Sequence, residues 1–553
     1  MTTSATFSRA AITLANPLLS RFKTLIESTF YGNNVEKIRD LKTAYRLAEK
    51  AMQTTVTDMP VMHPHELGLP PDAKILVSND GKIVGRTAAS RRIMGQPGMN
   101  QSYYEEILRE AIYQGSKRKF YSADVLVGLD TEFMVQAHLN LAAGFESNLY
   151  SYLLNFQIMT AEWDRSYQKS IAYPENDLFI YADPEWSHPD FPNGLALFDP
   201  EHNVAAILGL RYFGELKKAT LTLAWATAHR HGFIACHGGM KQYQLPNRHF
   251  TMATFGLSGS GKSTITLAKP AKESPVFVLH DDAFVINQKT GTTTALEPAY
   301  FDKLQDYPLT DEAINYVLTC QNVGVTFDEQ HQKVLVTQDL RNGNGRCVKS
   351  RYATDNRVDH LAEKIDALFW IMKDDSLPPV VRVDHPTLAA VFGVTLATKR
   401  SNAENVIGEL NQEQLVIVPF ANPFRCYPLG EDYAAFQALF DTSETACYIL
   451  NTGYFNQRKI TPAVTLAAIE AIAEETAVFQ SFASLSELSY LSISGYEVDE
   501  TSQVYLQKVK ERMQNRLSFI QSQEEYNRLP EEAQELMANV IQKLTEQLTK
   551  ELV

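Results

Sequence analysis

Residues Gly256, Leu257, Ser258, Gly259, Ser260, Gly261, Lys262 and Ser263 read G-x-x-x-x-G-K-[ST], with Thr264 next in line. This spacing lets backbone N–H groups close around phosphate oxygens, while the lysine reaches the β and γ oxygens and the serine hydroxyl ligates magnesium. With 27 glycines in 553 residues, a chance match is on the order of one in a hundred. Context tightens the reading. The β-rich run His249 to Gly256 enters the loop, a short helical stretch ending before Pro270 leaves it, and Val276 to Asp282 is a second buried-type strand. That strand ends in Asp281 and Asp282, where P-loop enzymes carry a metal-binding acid. A strand, a glycine loop, a helix and a second strand commit this part of the chain to an α/β nucleotide domain.

The rest of the sequence suits a large globular protein. At 44% hydrophobic and 21% charged residues, 553 residues allow two or three domains. Asp plus Glu outnumber Lys plus Arg by 65 to 51, and a net charge of -14 opposes nucleic acid and anionic membranes. Five scattered cysteines without a C-x-x-C pair argue for a reducing compartment, and cytoplasmic location is expected. No apolar run approaches the roughly 20 residues of a membrane helix. The first 27 residues are poor in acids and weakly resemble a transit peptide, against the plainer reading of an amphipathic helix.

Periodicity predicts helix up to about residue 70, including VEKIRDLKTAYRLAEKAMQ, then short strands AKILVS and GKIVGR. SYYEEILREAIYQG and DTEFMVQAHLNLAAGF read as helices, DLFIYADPEW and AAILGL as strands. Two charged helices are expected around Pro530, either a solvated surface or a partner-binding coiled coil. The fold class is α/β: a mixed α+β N-terminal domain over 1–232 and a P-loop nucleotide domain over 233–553 with a helical tail.

Four ordered segments carry a resemblance. GLSGSGKST, VLHDD, Tyr212-Phe-Gly-Glu-Leu-Lys217-Lys218 and His237 in FIACHGG resemble the ATP-dependent phosphoenolpyruvate carboxykinases, including the nineteen-residue step from Lys218 to His237. The likeness can be followed from about Lys82 to Ile460. It implies a phosphoenolpyruvate carboxykinase-like fold with an N-terminal substrate domain, a C-terminal nucleotide domain and an active site between them. It also implies a lyase of gluconeogenesis that decarboxylates oxaloacetate and phosphorylates the enolate with ATP. Its partners would be small molecules (oxaloacetate or phosphoenolpyruvate, CO2 and nucleotide) rather than nucleic acid or membrane, in a monomer or small homo-oligomer.

The resemblance assigns Lys218, His237 and Asp282 to Mn2+, and Ser263 to the Mg2+ of ATP. A lysine ligand must be neutral, which the metal and Lys217 would favour. Lys217, Lys218, Lys262, Arg346 and Asp281 are the expected catalytic groups, with Arg351 a rival to Arg346. Arg86, Tyr212, Lys218 and Arg346 would bind substrate; Arg86 suits a carboxylate through its planar fork. Asn451-Thr-Gly-Tyr leads to Arg458, Lys459 and Ile460 at the nucleotide, with the adenine contact open between Arg458 and Lys459.

The sequence departs from the family at Phe213, at Gly238-Gly239, at Ala283-Phe284, around Tyr300 and Lys303, after Arg86, and in a lid placed at LATKRSNAEN. These departures leave two alternatives open, a small-molecule kinase of the same fold and a nucleotide-binding regulator without turnover.

Overall fold

A computed structural model describes residues 6–13, 15–79, 90–175, 177–257, 259–271, 274–304, 307, 311–338, 344–399 and 415–550. Arg86, Ser258, the GKIVGR run and all but the first residues of the expected lid lie outside the described residues. The chain forms two compact units, one from residues 1–231 and 295–355, the other from 232–294 and the described residues beyond 355. The domain division expected at residue 232 has no counterpart for the segment 295–355, which returns to the first unit because its strands pair there.

Among the described residues two large sheets and a two-stranded ribbon, Gly324–Phe327 with Lys333–Val336, build the first unit. One sheet runs Val35–Ile38, Phe120–Asp130, Phe133–Ala142, Leu178–Asp183, Val204–Leu208, Leu195–Asp199 and Arg91–Ile93. The other sheet runs Tyr300–Lys303, Arg346–Lys349, Val317–Gln321, Lys74–Ser78 and Thr54–Pro60. Two expected helices differ here. DTEFMVQAHLNLAAGF forms the strand Phe133–Ala142, paired antiparallel with Phe120–Asp130, because a buried strand with both faces covered loses its alternation and mimics helical period. VEKIRDLKTAYRLAEKAMQ divides into a strand, Val35–Ile38, and a helix, Leu41–Lys50, since the Asp40 side chain accepts the Thr43 N–H and caps a new start. The helix Phe213–Arg230 is buried along most of its length and carries both expected lysines.

In the second unit a large mixed sheet holds three adjacent parallel strands: the P-loop strand Arg248–Phe255, then Ala367–Met372, then Ala446–Asn451. Their carboxyl ends share one edge, where open α/β sheets bind ligands. Phe233–Leu245 flanks the P-loop strand and pairs with both Val276–His280 and Ala283–Asn287. The core beneath includes Phe250, Ile265, Phe369 and Ile469. The expected C-terminal helices are Gln503–Gln521 and Glu531–Lys550, packed on each other. Among the described residues no helix is long and apolar enough to cross a membrane.

Candidate active site

The P-loop leaves its strand at Phe255 and turns through Gly259 and Gly261, with φ of 78° and 102°, before the short helix Lys262–Leu267. Such angles suit glycine, and a Cβ at Gly256 would lie 2.3 Å from Ser260 Oγ. Two neighbours pin the loop from outside. Lys373 Nζ donates to the Gly259 carbonyl at 2.8 Å, and Thr452 Oγ1 donates to the Ser260 carbonyl at 2.8 Å. Lys373 sits one residue past the parallel strand beside the P-loop strand, and Thr452 one residue past the parallel strand after that. In a trans peptide the carbonyl and the following N–H point opposite ways, so holding the Ser260 carbonyl outward turns the Gly261 N–H the other way. Ser263 and Thr264 open the helix, whose packing on its neighbour explains one departure from the family. A Cβ at Gly239 would lie 2.0 Å from Thr266 Oγ1, so Gly238-Gly239 lets the helix rest directly on the strand.

Two of the expected site residues meet at Asp282. Lys262 Nζ lies 3.3 Å and His237 Nε2 3.0 Å from the same Asp282 Oδ1. His237 Nδ1 is 2.5 Å from the Ala421 carbonyl, which can only accept, so Nδ1 carries the proton. With the ring neutral, Nε2 presents a lone pair beside a carboxylate oxygen, and either a proton or a metal ion held between the two atoms satisfies both. A nitrogen and a carboxylate held this way, with the second ring nitrogen on a carbonyl, are a donor pair that fits a divalent metal. Among the described residues no group of three His, Cys, Asp or Glu stands close enough to hold a metal ion.

The supports of this corner were not read from the sequence. His280 Nδ1 accepts the N–H groups of Asp282 and Ala283 at 3.0 and 3.1 Å, which shapes the turn that presents Asp281 and Asp282. Its 3.9 Å approach to Asp281 is therefore no ion pair, because a nitrogen accepting two N–H bonds is unprotonated. Asp281 itself is buried beside it. Phe420 and Ala421 both take left-handed backbone, φ 53° and 52°, costing about 1 kcal/mol or more each, and present the carbonyl that orients His237. Phe420 stacks on Phe436 and Phe424 meets the His237 ring edge-on. No local signal in PFANPF announces this, because the turn is imposed by packing. Lys241 Nζ caps the far end of the P-loop helix at the Ile265 and Ala268 carbonyls, and burial pulls its pKa down to about 8.

Further along the second unit, Arg458 and Lys459 lie on a small exposed hairpin. Arg458 donates to the Gly495 carbonyl and covers the Tyr496 ring at 4.8 Å. Lys459 is exposed and Ile460 is buried.

In the first unit, Tyr212, Lys217, Lys218 and Arg346 take distinct settings. Lys217 is fully buried, 2.9 Å from Glu297, whose other oxygen takes the Asn155 amide at 2.6 Å. Lys218 leaves the helix on another face, with Nζ 5.7 Å from the Trp225 ring centroid two turns on. Burial raises the Tyr212 phenol, and Arg346, close enough to hydrogen-bond it, pulls in the opposite direction. Tyr212 also lies over Gly214, where a Cβ would come within 2.3 Å of the ring. Phe213, a departure from the family, fills the core edge-on against Phe301. Arg346 Nε donates to Asn344, and its strand places it opposite Lys303 and Gln321. Tyr300 is buried, bonded to Thr354. Arg351 lies on a single 3-10 turn beyond that strand.

A P-loop at the carboxyl edge of an α/β sheet, with a lysine and a histidine on one aspartate, defines a nucleotide-dependent phosphoryl-transfer class. Comparison with known proteins narrows it. The profile described as phosphoenolpyruvate carboxykinase matches residues 72–491. A phosphoenolpyruvate carboxykinase (ATP) of Aeropyrum pernix is 23% identical over 354 residues, covering 60% of this chain and 70% of that protein. Another of that name, from Dictyostelium discoideum, is 24% identical over 210 residues, 34% of this chain and 36% of that protein. The chain belongs to the phosphoenolpyruvate carboxykinase family. It is an enzyme, and its function is the family's ATP-dependent carboxykinase reaction.

Proposed function

We propose that the chain decarboxylates oxaloacetate and passes the γ-phosphoryl group of ATP to the enolate oxygen, giving phosphoenolpyruvate, ADP and CO2 reversibly, with the following residue roles. Loop amides from Gly256 to Thr264 hold the phosphates, Lys262 neutralises charge on the transferred group, and Ser263 Oγ takes the Mg2+ of the nucleotide. His237 and Asp282 hold a second ion, Mn2+, for which Lys218 matches the family's remaining ligand. That ion would supply Lewis-acid stabilisation of the enolate oxygen. Arg346 steadies the phosphoryl charge, and Tyr212 and Arg86 orient the substrate carboxylates. Asp281 supports Asp282. Lys217 holds the helix that carries Lys218.

The observation that carries this reading is the convergence of Lys262 and His237 on one oxygen of Asp282. A binding protein has no use for a cation corner beside the lysine that contacts the transferred phosphate. The test is oxaloacetate formation from phosphoenolpyruvate, bicarbonate and ADP with Mn2+, run beside GDP and pyrophosphate. Turnover with ADP is expected; turnover on neither acid defeats the proposal. Two variants refine it. His237→Gln should abolish the extra activity that Mn2+ gives over Mg2+ alone. Arg86→Lys should raise the KM for phosphoenolpyruvate and leave that for nucleotide almost unchanged, since it keeps the charge and loses the fork.

A further inference from the structure

The helix Gln503–Gln521 lies beyond the family match, which ends at residue 491. Four of its side chains, three or four residues apart and so on one face, reach the loop that follows the strand Ala367–Met372. Tyr505 Oη donates to the Ser376 carbonyl at 3.0 Å. Lys508 Nζ lies 2.9 Å from Asp375 Oδ2, and Arg512 Nη2 lies 3.1 Å from Asp375 Oδ1. Arg516, 1% exposed, donates to Asp374 Oδ2 at 2.9 Å and to Thr395, under the Phe392 ring. Asp374 in turn accepts the N–H and hydroxyl of Ser376. The loop's far end is held too, because Asn451 donates to the Leu377 carbonyl at 2.7 Å.

Lys373 opens this loop and bonds the Gly259 carbonyl of the P-loop, while Thr452, next to Asn451, bonds the Ser260 carbonyl. The clamped loop and the P-loop are therefore one mechanical unit. A buried arginine–aspartate pair is a poor source of stability for its desolvation cost, but it is effective at fixing a geometry. We propose that the stripe Tyr505, Lys508, Arg512 and Arg516 is a positioning element of the nucleotide site. It fixes residues 374–376 so that Lys373 holds the Gly259 carbonyl outward and, across the same peptide, the Ser260 N–H in its turn bond to the Leu257 carbonyl at 3.0 Å, which sets the course of the loop around the phosphates. The proposal rests on the reading of this loop as the phosphate site.

The test uses the full chain. Arg516→Met risks misfolding, so the main variants are Lys373→Met and the partly exposed pair Lys508→Gln/Arg512→Gln. Lys373→Met should weaken MgATP binding, measured calorimetrically, about tenfold, the loss of one charged hydrogen bond. The pair should weaken it severalfold, raise the KM for ATP and leave kcat and the KM for oxaloacetate in place, a split that general loosening of the fold does not produce. Because the stripe acts through Lys373, all three substitutions together should bind no more weakly than Lys373→Met alone. Amide exchange at Gly259 to Gly261 in ligand-free protein should speed up in both variants. Wild-type MgATP affinity and unchanged exchange in the pair, or additive losses in the triple variant, overturn the proposal. The exchange measurement needs no ligand. A wild-type chain that fails to bind MgATP thus removes the phosphate reading, and the brace is still judged by exchange.

Discussion

Two lysine–carboxylate pairs, one in each unit, look alike in sequence and differ in chemistry. Lys217 and Glu297 are both fully buried at 2.9 Å, and the other Glu297 oxygen accepts from Asn155. The pair is closed off from solvent. Lys262 and Asp282 stand 3.3 Å apart with partial exposure, and the same aspartate oxygen faces His237. Here a lysine ammonium and a histidine lone pair converge on one carboxylate oxygen, an arrangement that a bound cation would complete. A closed pair organises a fold, whereas an open, convergent one does chemistry.

The sharpest way to break the comparison is Lys217→Met. Leaving Glu297 buried without its cation should cost about 3 to 5 kcal/mol, read as a lower urea midpoint, and adding Glu297→Gln should recover much of it. An unchanged midpoint removes the distinction. Lys262→Ala is the counterpart: turnover should fall more than 100-fold, about 3 kcal/mol in the barrier, with the midpoint almost unmoved. Near wild-type turnover would place Lys262 outside the chemistry.

A smaller effect is pH-dependent, and the units should respond with opposite signs. Lys241 has its pKa lowered by burial to about 8 from 10.5. The folded state then binds fewer protons than the unfolded state between those values, so wild-type stability should rise relative to Lys241→Met as pH climbs from 8 to 10.5. In the first unit, burial opposes the charged form of His138, but Asp124 and Asp177 outweigh it and raise its pKa from 6.5 to about 9. Its contribution is complete below 6.5 and should be lost as pH rises to 9, relative to His138→Gln. Each slope is at most about 1.4 kcal/mol per pH unit. Parallel slopes in the two variants would show that burial and ion pairing do not separate the units.

The phosphate loop, its flanking strand and helix, and the aspartates at the next strand end were legible because each is a local requirement. Glycine spacing, a lysine and a strand-ending acid are read within thirty residues, and the family likeness rests on four such segments. The α/β class followed from the same runs. Tertiary structure decided the rest. It made Phe133–Ala142 a strand, since burial of both faces erases the alternation that marks one. It separated Lys217 from Lys218, adjacent in sequence but on different helix faces, by setting Glu297 against the first. It recruited Lys373, Thr452 and the Ala421 carbonyl to the P-loop and His237, across sequence gaps of 114, 192 and 184 residues. The physical reason is common to all three. Whether a charge is closed off or open, and which carbonyl a donor meets, depends on what packing brings beside it.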